Sequence, residues 1–306
     1  MAAPPKSAGF PTAETAFFAA ADGTRLAYQS VGSGPPVVLA NGLGGTFLTW
    51  RHITRHLAQH YQVISWDYRG LHASEAPRDP AAVTVNDHVG DLQRLLDHLS
   101  VTRAVFLGWS MGVQVNFELF RRQPELFAGL GIINGTAGKP FGTVKGGRVA
   151  KHVLPQLLRL LRGYSGPVGA LVGQLTRWPQ LIPLLRNLKV VSVTLDETVF
   201  QDLATDFGQM DFDLYFRTLA AMDEHDAWDV LPRIDVPTTI VVGEHDLMTP
   251  LHVARRMSQA VRDARLVVVP HASHYVPVEQ PGMLNSALDR LLERAGYPAA
   301  PEQSRN

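Results

Sequence analysis

Cysteine is absent from the 306 residues, which excludes disulfide cross-links, thiolate metal sites and a cysteine nucleophile while leaving the redox compartment open. Net charge is missing too: 28 Lys and Arg balance 28 Asp and Glu, so no overall field recruits nucleic acid or a membrane. No apolar run approaches the roughly 18 residues of a membrane span. The opening stretch, MAAPPKSAGFPTAET, lacks the continuous apolar segment of a secretory signal. A cytoplasmic location is the expectation. Repeats and low-complexity tracts are also lacking. What remains is 45% apolar and 18% charged, the composition of an ordinary globular chain long enough to bury a large core.

Along the chain, TAFFAAADGTRLAYQSVG reads as two strands joined at Asp22-Gly23, a dipeptide that supplies the positive φ angles of a tight hairpin. An alternation of short apolar runs and helical patterns follows. PPVVLANGLGG and QVISWDYRG are runs that end in glycines or polar residues, and the helical TWRHITRHLAQHY separates them. VNDHVGDLQRLLDHLS, residues 111–122, HVARRMSQAVRDA and MLNSALDRLLERA read as helices; AVFLG, AGLGIIN, TTIVVG and RLVVV read as strands. Short Val, Ile and Leu runs alternating with helices indicate an α/β fold: a mostly parallel central sheet buried on both faces and flanked by helices. Ligands of such sheets sit beyond the carboxyl ends of the strands, so polar residues there are the ones to inspect.

Residues 138–232 interrupt the alternation with helical periodicity, KVVSVTL at 189–195 being the one weak strand candidate. They are expected to form an inserted, mostly helical lid. The core is then 15–137 plus 233–295, with flexible tails at 1–14 and 296–306. Charge divides unevenly around the lid: nine cations and no acid lie between 126 and 195, and eleven acids against two arginines between 196 and 235. Either the two halves pack and neutralise each other, or the basic apolar half meets anionic lipid or a fatty carboxylate.

The stretch Gly108-Trp109-Ser110-Met111-Gly112 lies where an apolar run meets a helical pattern. Glycines two residues either side of a serine remove the Cβ atoms that would collide on a sharp strand-to-helix turn. That turn lifts the hydroxyl clear of the sheet, and the following helix aims its amides at the same point. A serine hydroxyl needs a base, and the base needs an orienting carboxylate. Asp246 ends the run TTIVVGEHD and His274 follows RLVVVP, giving the chain order Ser, Asp, His.

With these residues the sequence resembles an α/β-hydrolase-fold serine hydrolase of the esterase and lipase type, over residues 15–137 and 233–295. DGTRLAYQSVGSGPPVVLANG, DYRGLHAS, GWSMG, GEHDLMTP and HASHYVPVEQP carry the resemblance. It implies Ser110 as nucleophile, His274 as general base and then acid, and Asp246 as its orienting carboxylate. The backbone N–H groups of Leu43 and Met111 would form the oxyanion hole. No cofactor or metal is implied, and the substrate is expected to be a small-molecule ester; the leucine-rich lid points to a hydrophobic acyl group. Lactone, thioester and carbon-carbon bond hydrolysis and cofactor-free perhydrolysis share the same triad, and some relatives are non-enzymatic receptors or scaffolds. Two positions depart from the family pattern: Asn41 stands where a histidine is common, and His72 where a glycine is common.

His271 competes with His274 as base, and Glu244 with Asp246 as orienter; His274 matches the family's H-x-x-P-x-E segment. His245 reads as a loop residue. His52, His56 and His60 recur every four residues, a spacing that would share one helix face, yet no H-E-x-x-H glutamate accompanies them. A solvated helix face is expected there. Trp109 and Met111 read as packing residues able to line an acyl pocket, and Arg69 as a buried ionic staple.

Overall fold

The computed structural model describes residues 13–143 and 147–297, so the expected tails fall almost wholly outside the described residues. Eight strands form one sheet: β1 (Ala16–Ala19), β2 (Arg25–Val31), β3 (Pro36–Ala40), β4 (Gln62–Trp66), β5 (Ala104–Trp109), β6 (Phe127–Ile133), β7 (Thr238–Gly243) and β8 (Ala264–Val269). Their order is β1-β2-β4-β3-β5-β6-β7-β8. The β1–β2 and β2–β4 pairs are antiparallel and every later pair is parallel.

The hairpin between β1 and β2 forms around Asp22-Gly23, with a loop of residues 20–24 that is wider than a two-residue turn and with only Gly23 of the pair at positive φ. Gly23 takes φ +84°, Asp22 Oδ1 accepts from Thr24 N–H at 3.0 Å, and the Ala20 and Thr24 backbones close the turn at 2.9 Å. The parallel strands are buried on both faces because helices cover both. Alternate residues Val38, Phe106, Leu130 and Ile240 pack with α2 (Val85–His98), α3 (Met111–Arg122) and α9 (Leu251–Ala260). Their neighbours Val37, Val105, Leu107 and Val241 pack with α1 (Arg51–Leu57) and α11 (Pro281–Arg294) on the other face. Two-residue periodicity thus divides one apolar strand between two cores.

Local signals set the helix ends. Thr84 and Asp87 form a reciprocal capping box at the start of α2, which satisfies two amides that would otherwise be unpaired. Beneath the loop after β4, Arg69 is buried and bonds both carboxylate oxygens of Asp91 and, at 3.0 Å, Asp22. It is the ionic staple the sequence led one to expect.

Between β6 and β7 run α4 (Gly147–Arg162), α5 (Ser165–Leu175), α6 (Leu181–Asn187), α7 (Glu197–Phe207) and α8 (Phe212–Glu224); α10 (Val276–Glu279) precedes α11. The regular elements of the insertion's described residues are all helices, joined by turns, and 189–195 is not a strand. A strand needs an edge to pair with, and the helices offer none. Val191 and Leu195 instead bury beside Phe200 and Val278. Among the described residues, the ion pairs Arg162–Asp213 and Arg186–Glu197 cross between the basic and acidic halves. Gln114, buried in α3, donates to the carbonyls of Gly138 and Met222 and so ties both ends of the insertion to the core. Among the described residues no helix is long and apolar enough to cross a membrane.

Candidate active site

Ser110 joins β5 to α3 with φ 53° and ψ −115°, a backbone region that costs a residue with a side chain about 1–3 kcal/mol. Close packing forces this junction. A Cβ at Gly112 would lie 2.1 Å from the Ala40 carbonyl oxygen, and one at Gly108 would lie 2.7 Å from the Gly112 carbonyl. Only hydrogen at both positions lets α3 begin against the ends of β3 and β5. The turn is then held by the Ser110 N–H on the Ile133 carbonyl, 3.0 Å, and the Val113 N–H on the Ser110 carbonyl, 3.1 Å.

Met111 opens α3, so its N–H has no carbonyl one turn earlier in the helix. Leu43 lies in the loop after β3 and lines the same cavity as Ser110. Among the described residues neither amide has an acceptor. Asn41, the first departure from the family pattern, is buried and pinned. It donates to the Trp66 carbonyl at 2.8 Å and accepts from the Trp50 indole at 2.7 Å, which fixes where the loop leaves β3. His72, the second departure, takes φ 53° and sets its Nε2 3.2 Å from the Gly44 carbonyl, so it touches the loop that carries Leu43.

His274 follows β8, and its Nδ1 lies 2.9 Å from Asp246 Oδ2. A carboxylate only accepts, so Nδ1 carries the proton and Nε2 is left as the acceptor. Nε2 is buried with no hydrogen-bond partner among the described residues, and His274 lines the Ser110 cavity. Asp246 gathers further donors: Met248 and Thr249 N–H on Oδ1 at 2.8 and 2.9 Å, and the Thr249 hydroxyl on Oδ2 at 2.7 Å. Burial would raise its pKa, but the electrostatic attraction and hydrogen bond of the His274 ring, followed by the hydrogen bonds of Thr249, outweigh burial and hold it at about 2.

Asn134 was not singled out from the sequence. It directly follows β6 at φ 44° and donates to Asp246 Oδ2 at 2.7 Å and to the Ser273 carbonyl at 3.2 Å. A polar residue closing the apolar run AGLGII was the available signal. Glu279, the last residue of the family's H-x-x-P-x-E segment, is buried and accepts from Ser192 N–H, Ser273 N–H and the Ser273 hydroxyl at 2.6–2.7 Å. It joins the insertion to the loop that carries His274.

The rival residues lie elsewhere. His271 is exposed, with Nδ1 3.8 Å from Glu244, and Glu244 accepts the His271 N–H rather than any bond from His274. His52 and His56 pair with different carboxylates, Asp196 and Asp289. His60 lies beyond the end of α1 at Leu57, so the three histidines do not share a helix face: the helix stops to feed β4. Trp109 packs under the loop glycines, where a Cβ at Gly42 would meet its ring at 2.6 Å, and its indole donates to the His274 carbonyl at 2.9 Å. The Met111 side chain is buried in the core, whereas the Trp109 ring lines the cavity.

The cavity holds about 350 Å³ between sheet and insertion. Ser110, His274 and Leu43 form its floor, while Leu175, Leu185, Phe200, Leu203 and Leu219 contribute apolar walls.

A family profile described as the alpha/beta hydrolase family matches residues 37–287. The chain is 28% identical over 261 residues to 3-oxoadipate enol-lactonase 2 of Acinetobacter baylyi, covering 85% of this chain and 89% of that one. It is 27% identical over 263 residues, 86% and 93% of the two chains, to RutD of Azorhizobium caulinodans, whose name assigns it provisionally to carbamate hydrolysis. Among solved structures, the enol-lactonase from Burkholderia xenovorans superposes with a TM-score of 0.69 at 26% identity, covering 91% of this chain and 100% of the other.

Proposed function

This chain belongs to the alpha/beta hydrolase family, and on that footing we propose that it cleaves carboxylic esters with a hydrophobic acyl group through Ser110, His274 and Asp246. The observation that carries the reading is the buried, unpartnered Nε2 of His274 in a cavity shared with Ser110 on a strained turn. The imidazole Nε2 takes the serine proton as Oγ attacks the ester carbonyl. The tetrahedral oxyanion rests on the Leu43 and Met111 amides, each such donor being worth about 3–4 kcal/mol in the transition state. The imidazolium, steadied by Asp246, then protonates the leaving alcohol. Water, deprotonated by the same imidazole, releases the acid from the acyl-enzyme.

A serine-directed fluorophosphonate should label wild type and leave Ser110→Ala unlabelled. An unlabelled wild type would hand the argument to a hydrolase-like receptor or scaffold. Across p-nitrophenyl esters of increasing chain length, kcat/KM should rise beyond acetyl, because the cavity walls are apolar; activity confined to acetyl removes the hydrophobic-acyl reading. A lactone is a cyclic ester open to the same attack, and two relatives bear lactonase names, so a lactone belongs in the panel.

The insertion, taken as a lid over 138–232, also supports peripheral lipid contact. Eleven of the fourteen exposed large apolar side chains among the described residues lie between 153 and 193, a stretch that holds cations and no acid. Apolar side chains beside cations suit an anionic membrane surface. Sedimentation with phosphatidylglycerol vesicles should capture the protein, and Leu160→Glu with Leu188→Glu should release it. Equal capture by phosphatidylcholine vesicles would refute the charge-based account.

A further inference from the structure

β7 and β8 are adjacent parallel strands, so the loops leaving their carboxyl ends run side by side. Backbone pairing fixes them in register: Glu244 N–H bonds the Val269 carbonyl at 3.0 Å and His245 N–H bonds the Ala272 carbonyl at 2.8 Å. The Glu244 carboxylate also takes the His271 N–H at 3.0 Å. On this frame Glu244, His245 and His271 each offer one ligand atom, all within 4.8 Å of one another. Glu244 Oε2 and His271 Nδ1 are 3.8 Å apart, and the rings of His245 and His271 lie 6.1 Å apart, centre to centre. None of the three has a part in ester cleavage.

We infer that Glu244, His245 and His271 bind one divalent transition-metal ion of the zinc class. A tetrahedral ion with bonds of about 2.0–2.1 Å places its ligands roughly 3.4 Å apart. The Glu244–His271 pair is already near that spacing, and the remaining closure is within reach of side-chain rotation at an exposed site. Two imidazoles and a carboxylate suit zinc, cobalt or nickel rather than calcium or magnesium. The hydrogen bond from His271 N–H occupies one of the carboxylate's lone pairs and leaves others for the ion, and water would complete the coordination. Asp246 follows His245 directly and His274 lies three residues after His271. An ion here would therefore clasp the two loops that carry them, and the expected effect is stabilisation rather than chemistry.

The test uses the full chain, stripped with a chelator and titrated calorimetrically with zinc chloride. One ion per chain should bind with a micromolar or tighter Kd, and saturation should raise Tm by several degrees, because an ion that binds only the folded state stabilises it. Cobalt(II) should give the visible absorption of a tetrahedral site. His245→Ala and His271→Asn should each weaken zinc binding at least tenfold; asparagine is chosen because it tolerates the positive φ of 58° at residue 271. Unchanged metal-free Tm and circular dichroism would show that both variants are folded. Titration without saturation, or undiminished binding in both variants, overturns the proposal. These binding and melting readouts do not depend on ester cleavage, so the two readings fail separately.

Discussion

Asp246 shows how single residues set the candidate site. A buried carboxylate would ordinarily hold a proton, yet five donors from Asn134, Met248, Thr249 and His274 converge on its two oxygens and keep it ionised. Asn134 is a positioning residue because it acts through Asp246. Asn134→Leu removes a hydrogen bond to a charged acceptor, for which the ordinary loss is about 1.5–3 kcal/mol. Thermal or urea denaturation should show that loss, and fluorophosphonate labelling should slow without disappearing. Wild-type stability in this variant would mean that Met248, Thr249 and His274 alone hold the carboxylate. Asp246 and His274 were both readable from the sequence, because each ends an apolar run in family-like surroundings. Asn134 was not, because its role depends on β6 and β7 being neighbours in the sheet.

At the scale of elements, the β5–α3 junction and the interior of α2 present glycines with opposite demands. Gly112→Ala would drive a methyl into backbone at Ala40, where the carbonyl oxygen is 2.1 Å away. A loss of at least about 3 kcal/mol is expected, at or beyond the usual range for overpacking. Gly90 lies within α2, and a Cβ there meets nothing within 4 Å. Gly90→Ala should therefore stabilise by about 0.5–1 kcal/mol through helix propensity. Denaturant midpoints of the two variants check the pair; a tolerated Gly112→Ala would mean that α3 can shift away from β3. The sequence pattern located β7, α3 and the hairpin well because propensity, periodicity and turn chemistry agree there. It placed 189–195 poorly, since β-branched residues favour a strand only where a neighbouring strand is available.

For the whole molecule, two buried groups shape stability against pH. Burial, assisted by the charge of Asp206, raises Asp67 to about 7. The folded state therefore keeps a proton that the unfolded chain releases above about 4, and stability is lost as pH rises from about 4 to 7. His88 is shifted the other way, lowered to about 3 by burial and the Arg69 charge. The unfolded chain takes up a proton below about 6.5 that folded His88 refuses, so stability is lost as pH falls. Asp67→Asn removes the first effect: its advantage over wild type in unfolding free energy, read from urea denaturation, should grow from pH 4 to pH 8, reaching on the order of a few kcal/mol. An advantage that is constant with pH would show that Asp67 titrates normally.

The sequence by itself determined the alternation of strands and helices, the serine turn and the order Ser, Asp, His. These are local: they depend on residue type, spacing and the glycines that permit a turn. Only the tertiary structure decided that Asn134 supports Asp246, that Glu279 ties the insertion to the His274 loop, and that Glu244, His245 and His271 converge. Each of these pairings joins residues distant in the chain or on separate elements. Strand order and close packing create such contacts, and one-dimensional periodicity does not encode them.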